Sequence, residues 1–375
     1  MELKQFGVED WLNVWERSAT IDIAQSTISS MTLQEILELE EDAGKSFLEI
    51  LKSEKFNYGW IEGSPDFKKE VAKLYEGVET DNILSTNGAT GANFLAIFGL
   101  ISENDHVIAQ YPSYQQLYDL PEALGAKVNY WKIYEEENWC PKIKELKELI
   151  QPNTKMICLN NAAQPTGAIL KKEFLSEVIE IAREIGAYIL CDEVYLPLEG
   201  GEDYAPIASL YEKGISTNSM SKTYSVPGIR VGWIATQDKF VVEEMQKNRD
   251  YTMICTGVFD DALATLVLKH KEKVLSRNRK IVNDNLKILK EWVENEPLVS
   301  MIFPESVSCS FVKFEKLDPE KTEEFAISLL KETGVLIVPG NRFDLPGYAR
   351  IGYCTKEETL REGLKKLSEF LRTFK

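Results

Sequence analysis

A chain of 375 residues with 44% apolar content is long enough for a large domain, a smaller second one and a core that can enclose a site. Its 43 Lys and Arg stand against 60 Asp and Glu, a net charge of -17 that repels phosphate backbones and anionic lipid, so neither nucleic acid nor a membrane is an expected partner. Two histidines, His106 and His270, and six scattered cysteines without a CxxC pair are too few to build a histidine-based hydrolase or a metal centre, and all are expected to be structural.

Taken in chain order, the start Met1-Glu2-Leu3-Lys4-Gln5-Phe6 has no basic region followed by an apolar stretch. The longest apolar run, around Phe94 to Ile101, is too short to cross a bilayer, so a cytoplasmic protein is expected. From about Ile83 to Ala235, short apolar runs alternate with helical patterns, which predicts a mainly parallel sheet covered by helices. Asn87-Gly88-Ala89-Thr90-Gly91-Ala92 precedes an apolar helix running from Asn93 to about Ile101. Small residues let backbone approach a phosphate, and a helix N-terminus offers free N–H groups, although an ordinary glycine turn has the same look.

Strands are predicted at His106–Gln110, Lys155–Asn160, Ala187–Cys191, Ser216–Met220 and Gly232–Ala235. Between the second and third, Phe174, Val178, Ile181 and Ile185 recur at helical spacing. A long helical stretch begins near Asp260, and from about Leu298 the pattern changes to Val307–Phe314, Glu323–Glu332 and Val335–Val338, a second, α+β domain that the N-terminal segment joins. The expected division is a large domain over 46–275 and a discontinuous small one over 1–45 and 276–375.

In open α/β sheets, ligands lie beyond the carboxyl ends of the strands. Asn161 to Gly167 follows one predicted strand, Asp192-Glu193-Val194-Tyr195 caps another, and Ser219-Met220-Ser221-Lys222 closes a third. An imine-forming lysine must be partly neutral, and desolvation with nearby cations lowers its pKa. Arg230, eight residues beyond Lys222, and the two serines would bind a phosphate beside it. A surface lysine would leave those serines and the apolar continuation Gly232-Trp233-Ile234 without a purpose. Asp192, at the end of an apolar run, needs a partner for its charge, such as a protonated pyridine nitrogen; its other reading is a capping aspartate.

Together these residues resemble the class I/II aminotransferases of fold type I over nearly the whole chain. The resemblance implies a mainly parallel, seven-stranded-type sheet covered by helices with a smaller α+β domain. It also implies pyridoxal 5'-phosphate held as a Schiff base on Lys222. By the same resemblance Gly88, Ala89, Thr90, Ser219, Ser221 and Arg230 bind the phosphate, and Tyr114 stacks on the ring. Asp192 and Tyr195 serve its nitrogen and phenolic oxygen, and Arg350 grips the substrate carboxylate with its planar fork. Tyr58 matches a tyrosine that reaches the neighbouring subunit's phosphate, so a homodimer is implied.

The family's Asn-Pro-x-Asn-Pro-Thr-Gly reads Asn161-Ala162-Ala163-Gln164-Pro165-Thr166-Gly167, which keeps Asn161 among the cofactor contacts and makes Gln164 the amide donor to the phenolic oxygen. Glu9-Asp10-Trp11-Leu12, Asp22-Ile23 and Asn248-Arg249-Asp250-Tyr251 look similar to the branch that includes capreomycidine synthase. The implied activity is transfer of an amino group between a small amino acid and a 2-oxo acid. Two alternatives stand beside it: a lyase or cyclase of the capreomycidine synthase type, and a non-catalytic cofactor-binding regulatory domain, which the lack of a basic helix-turn-helix disfavours.

Overall fold

The structure, a computed structural model, describes residues 2–198, 203–305 and 307–374. Met1, residues 199–202, Ser306 and Lys375 fall within the expected domains but outside the described residues. Seven strands form the central sheet in the spatial order Ile83–Asn87, Val231–Thr236, Gly214–Ser219, Tyr188–Asp192, Thr154–Asn160, His106–Tyr111 and Lys127–Tyr134. A two-residue strand, Cys140–Pro141, extends the far edge. All seven are parallel except Val231–Thr236, which runs against both of its neighbours.

The apolar runs Met156-Ile157-Cys158-Leu159 and Ile189-Leu190-Cys191 are apolar on both sides because both sheet faces are covered. Met156, Cys158 and Leu190 pack toward the helix Gly88–Leu100, whereas Ile157, Leu159, Ile189 and Cys191 pack toward the helix Lys172–Ile185. Full burial of each such Ile or Leu contributes about 2 kcal/mol. The second helix buries Leu175, Val178, Ile179 and Ala182 along one stripe and stops at Gly186, whose φ of +70° is the left-handed cap that glycine adopts without strain.

All five predicted strands are present, shifted by one or two residues. The sheet also takes Ile83–Asn87 and Lys127–Tyr134, which carry too little apolar alternation to stand out in sequence. The helix expected to begin at Asn93 begins instead at Gly88, so the small-residue stretch is its first turn and not a preceding loop. Close packing explains the shift: a Cβ on Gly232 would lie 2.5 Å from the Gly88 carbonyl carbon and 2.8 Å from the Ala89 nitrogen.

A four-stranded antiparallel sheet, Val299–Ser300, Ser310–Phe314, Tyr348–Ile351 and Val338–Pro339, is backed by the helices Thr322–Thr333 and Glu357–Leu371. Val335–Val338, read as one strand, is split: Val335–Leu336 pairs in parallel with Ile21–Asp22, and Val338–Pro339 enters the antiparallel sheet. That pairing brings the N-terminal segment, with Val8, Trp11 and Ile23, into this second core. Among the described residues no helix is long and apolar enough to cross a membrane.

Candidate active site

Asn160 pairs in register with Asp192, and Asp192 with Thr217, so the chain leaves three neighbouring strands at one level. A cavity of about 1160 Å³ opens there, closed on the other side by residues of the segment from Phe6 to Ser30.

Lys222 lies three residues past the end of Gly214–Ser219, and its Nζ donates to Ser26 Oγ at 2.9 Å. Burial pulls its pKa down to about 8, and the Arg350 and Arg230 cations push the same way against the opposing pull of Cys309 and Glu9. An appreciable fraction of this amine is therefore neutral near neutral pH.

Asp192 is 2% exposed. Burial raises its pKa to about 6, opposed by the Asn93 amide, the Val194 N–H and the Lys222 charge. Asn93 Nδ2 donates to Asp192 Oδ2 at 2.6 Å, and Thr217 Oγ1 fixes the amide by donating to Asn93 Oδ1 at 2.6 Å. Such a carboxylate is set to receive a cation or a protonated nitrogen.

At the N-terminus of the helix Gly88–Leu100, Ala89 and Thr90 line the cavity beside Ser219, Ser221 and Arg230. Arg230 Nη1 donates to Ser221 Oγ at 3.2 Å, and a Cβ on Gly88, where φ is +69°, would lie 2.6 Å from Arg230 Nη2. The left-handed φ favours glycine there, and a side chain would have to push the guanidinium aside. Free N–H groups, hydroxyls and an arginine converging on one spot suit a phosphate. Tyr114 borders the same spot, 3.1 Å from Thr90 Oγ1 through its hydroxyl.

Tyr195 is buried, and its hydroxyl donates to Gln164 Oε1 at 2.9 Å. Arg350 lines the cavity at 2% exposure; Nη2 donates to the Ala24 carbonyl at 2.9 Å, but Nε has no partner among the described residues. A buried guanidinium with an idle donor calls for an anionic ligand.

Of the residues singled out in sequence, Asn161 is not brought to the cavity. Its Oδ1 accepts from the Leu170 N–H at 2.9 Å and its Nδ2 donates to the Leu170 carbonyl at 3.0 Å, so both amide groups are spent on the chain. Asn160 takes the cavity position instead, accepting from the Gln164 N–H at 2.8 Å and donating to the Asp192 carbonyl at 2.9 Å. Tyr58 stands 82% exposed, away from the cavity of its own chain. Neither histidine lines the cavity: His106 Nδ1 lies 2.8 Å from Thr154 Oγ1, and His270 Nε2 lies 3.2 Å from Glu40. Among the described residues no cluster of three metal-ligating side chains occurs.

Sequence reasoning missed Ser26, Asn93 and Asn160, and in Glu9-Asp10-Trp11-Leu12 it gave Glu9 no place in the site. Asn93 carried a signal, as one amide inside an otherwise apolar helix. Ser26 carried none, being 196 residues from Lys222. Glu9 lines the cavity near enough to Lys222 and Tyr114 to act on both.

Comparison with known proteins follows the same lines. The family model for aminotransferase class I and II matches residues 20–367. A crystal structure of a PLP-dependent aminotransferase from Streptococcus suis 89-1591 superposes with a TM-score of 0.96 at 53% identity, covering 100% of this chain and 99% of that one. An aspartate aminotransferase of Pyrococcus horikoshii is 29% identical over 348 residues, 88% of each chain. A capreomycidine synthase of Streptomyces vinaceus is 26% identical over 372 residues, 98% of this chain and 93% of that protein.

Proposed function

Because this chain belongs to the class I and II aminotransferase family, and its cofactor is pyridoxal 5'-phosphate, we propose that it moves an amino group between a small amino acid and a 2-oxo acid. One observation carries the reading: a single cavity joins a lysine with a lowered pKa, a buried aspartate, a phosphate-suited cluster and an arginine with an idle donor. Bound there, the cofactor supplies an electron-withdrawing ring that acidifies the Cα–H of an amino acid.

The chain's own residues do the rest. Ala89, Thr90, Ser219, Ser221 and Arg230 hold the phosphate, and Gly88 makes room for Arg230. The Asp192 carboxylate keeps a proton on the ring nitrogen. Tyr195 and Gln164 serve the phenolic oxygen. Arg350, which lines the cavity with its Nε unpartnered among the described residues, clamps the substrate carboxylate. Lys222 Nζ, when free, would act as the base that takes the Cα proton and as the acid that returns one. Two copies related by a two-fold axis share these sites, each lending Tyr58 to the other. Support for this comes from Phe56, Tyr58 and Trp60, which are 80%, 82% and 65% exposed in the single chain. The cavity lies between a large domain over 46–275 and a small one over 1–45 and 276–375, a division supported by the core around the antiparallel sheet, across which Ile133, Trp139 and Leu198 on one side and Ile36 and Leu39 on the other make the contacts.

Spectra of the loaded enzyme with single amino acids test the reaction. With no 2-oxo acid present, one absorbance change equal to the enzyme concentration is expected, and continued turnover is expected only when the acceptor is added. Many turnovers without an acceptor would sink transamination. That outcome would favour a lyase or cyclase, the second reading, which the match to the capreomycidine synthase over 98% of this chain supports.

The Glu9 carboxylate beside the reacting centre supports a substrate whose side chain carries a cation. Arg350→Ala is expected to raise KM about a hundredfold for every amino acid, since a bidentate charged contact is lost. Glu9→Gln is expected to raise KM about tenfold for cationic substrates alone. Steady-state kinetics over a panel of acidic, neutral and basic amino acids separates the two effects.

A further inference from the structure

Lys222 must hold still during the part of the cycle in which its amine is free, because a base displaced by an ångström loses most of its effect. The only hydrogen bond made by its side chain among the described residues is to Ser26, whose Oγ lies 2.9 Å from Nζ. We propose that Ser26 is a positioning residue for Lys222, accepting an N–H from the free amine and aiming its lone pair into the cavity. The proposal rests on the reading of Lys222 as the cofactor-bearing lysine.

The serine is itself firmly placed. It is 4% exposed, and its carbonyl accepts from Ser308 Oγ at 2.7 Å. On one side the Gly352 N–H donates to the Ile23 carbonyl at 2.8 Å, and on the other the Ile28 N–H donates to the Lys222 carbonyl at 3.4 Å. Gly352 is necessary to this contact, since a Cβ there would sit 1.5 Å from the Gln25 carbonyl oxygen. The segment carrying Ser26 is thereby tied both to the lysine's own loop and to the chain that follows the Arg350 strand.

A hydroxyl suits this task better than a carboxylate. An acid in contact with Nζ would stabilise the ammonium and undo the lowering that burial and Arg350 produce, whereas a neutral acceptor gives direction while raising the pKa only slightly. Burial holds the Tyr195 phenol well above its usual range, and the same Ser26 hydroxyl is among the groups that oppose that rise.

The test has two arms. In the first, cofactor-free protein is mixed with pyridoxal 5'-phosphate across pH, and the rate of covalent capture is followed by absorbance; only neutral amine reacts, so the midpoint reports Lys222. The wild-type midpoint is expected near pH 8. In Ser26→Ala it is expected lower, because the ammonium has lost its acceptor, and Ser26→Thr is expected to restore it. In the second arm, steady-state kinetics should show kcat of Ser26→Ala reduced about tenfold with KM changed by less than about twofold. An unmoved midpoint, or one that Ser26→Thr leaves displaced, overturns the proposal, as does an unchanged kcat. Ser26→Gly replaces the alanine variant if the latter melts early. Should Lys222→Ala capture the cofactor with the covalent absorbance of the wild type, the attachment reading fails and the role of Ser26 falls with it, whereas failure in the Ser26 variants alone leaves that reading standing.

Discussion

Lys222→Ala is expected to lower multiple turnover by about 10⁴-fold, because in the proposed function one atom, Nζ, is both the point of cofactor attachment and the group that moves the Cα proton. No neighbour can take over. The cavity-lining arginines, Arg350 and Arg230, offer only donors, and Ser26 is far too weak a base. The variant is expected to fold and to keep part of its affinity for the cofactor, since the Arg230 and Ser221 cluster and Asp192 are untouched. Dialysis followed by phosphate and absorbance analysis measures that retention. Retained turnover within tenfold of the wild type would remove Lys222 from the mechanism. The same variant tests assembly: mixed with an inactive Tyr58 variant, it should form hybrids in which one site carries both intact residues and regains activity. Hybrids that form but recover nothing, or a fully active monomer in sedimentation, refute the shared site.

Asp192→Asn is expected to slow removal of the substrate's Cα proton about 10³-fold with little change in overall shape, because an amide cannot hold a proton on the ring nitrogen. Single-turnover rates with Cα-deuterated substrate isolate that step, and a rate equal to the wild type's would exclude the residue. The same substitution has a signature in the cofactor-free protein. Burial raises Asp192 from its usual 3.8 to about 6, so the folded chain binds this proton more tightly than the unfolded chain. The neutral acid's contribution to stability is therefore fully present below pH 3.8 and is lost as pH rises to about 6. Asp192→Asn should flatten that part of the melting-temperature profile, and an unaltered slope between pH 4 and 6.5 would show that other groups set it. When the ring nitrogen supplies its proton, the carboxylate is paired and the effect should fade.

The sequence by itself determined the central sheet and most of the cavity's reactive groups, because both depend on local pattern. Apolar runs such as Ile157-Cys158-Leu159 and Ile189-Leu190-Cys191 announce strands buried on both faces, and a strand end presents whatever follows it, so Asp192 and Lys222 stood out where ligands belong. The resemblance added Arg350 and Tyr58, whose roles no spacing reveals.

Tertiary structure alone decided the rest. Asn160 and Asn161 are adjacent amides, and only the turn after the strand made the first face the cavity and tied the second to Leu170. Strand-like Val335–Val338 split because two different partners, Ile21–Asp22 and Tyr348–Ile351, offered edges to its two halves. Ser26 met Lys222 across 196 residues because the chain was pinned by Gly352 and Ser308. A periodic pattern is visible along the chain because residues two apart in a strand, or three and four apart in a helix, share a face, whereas a contact between distant residues is fixed by packing, which no local pattern encodes.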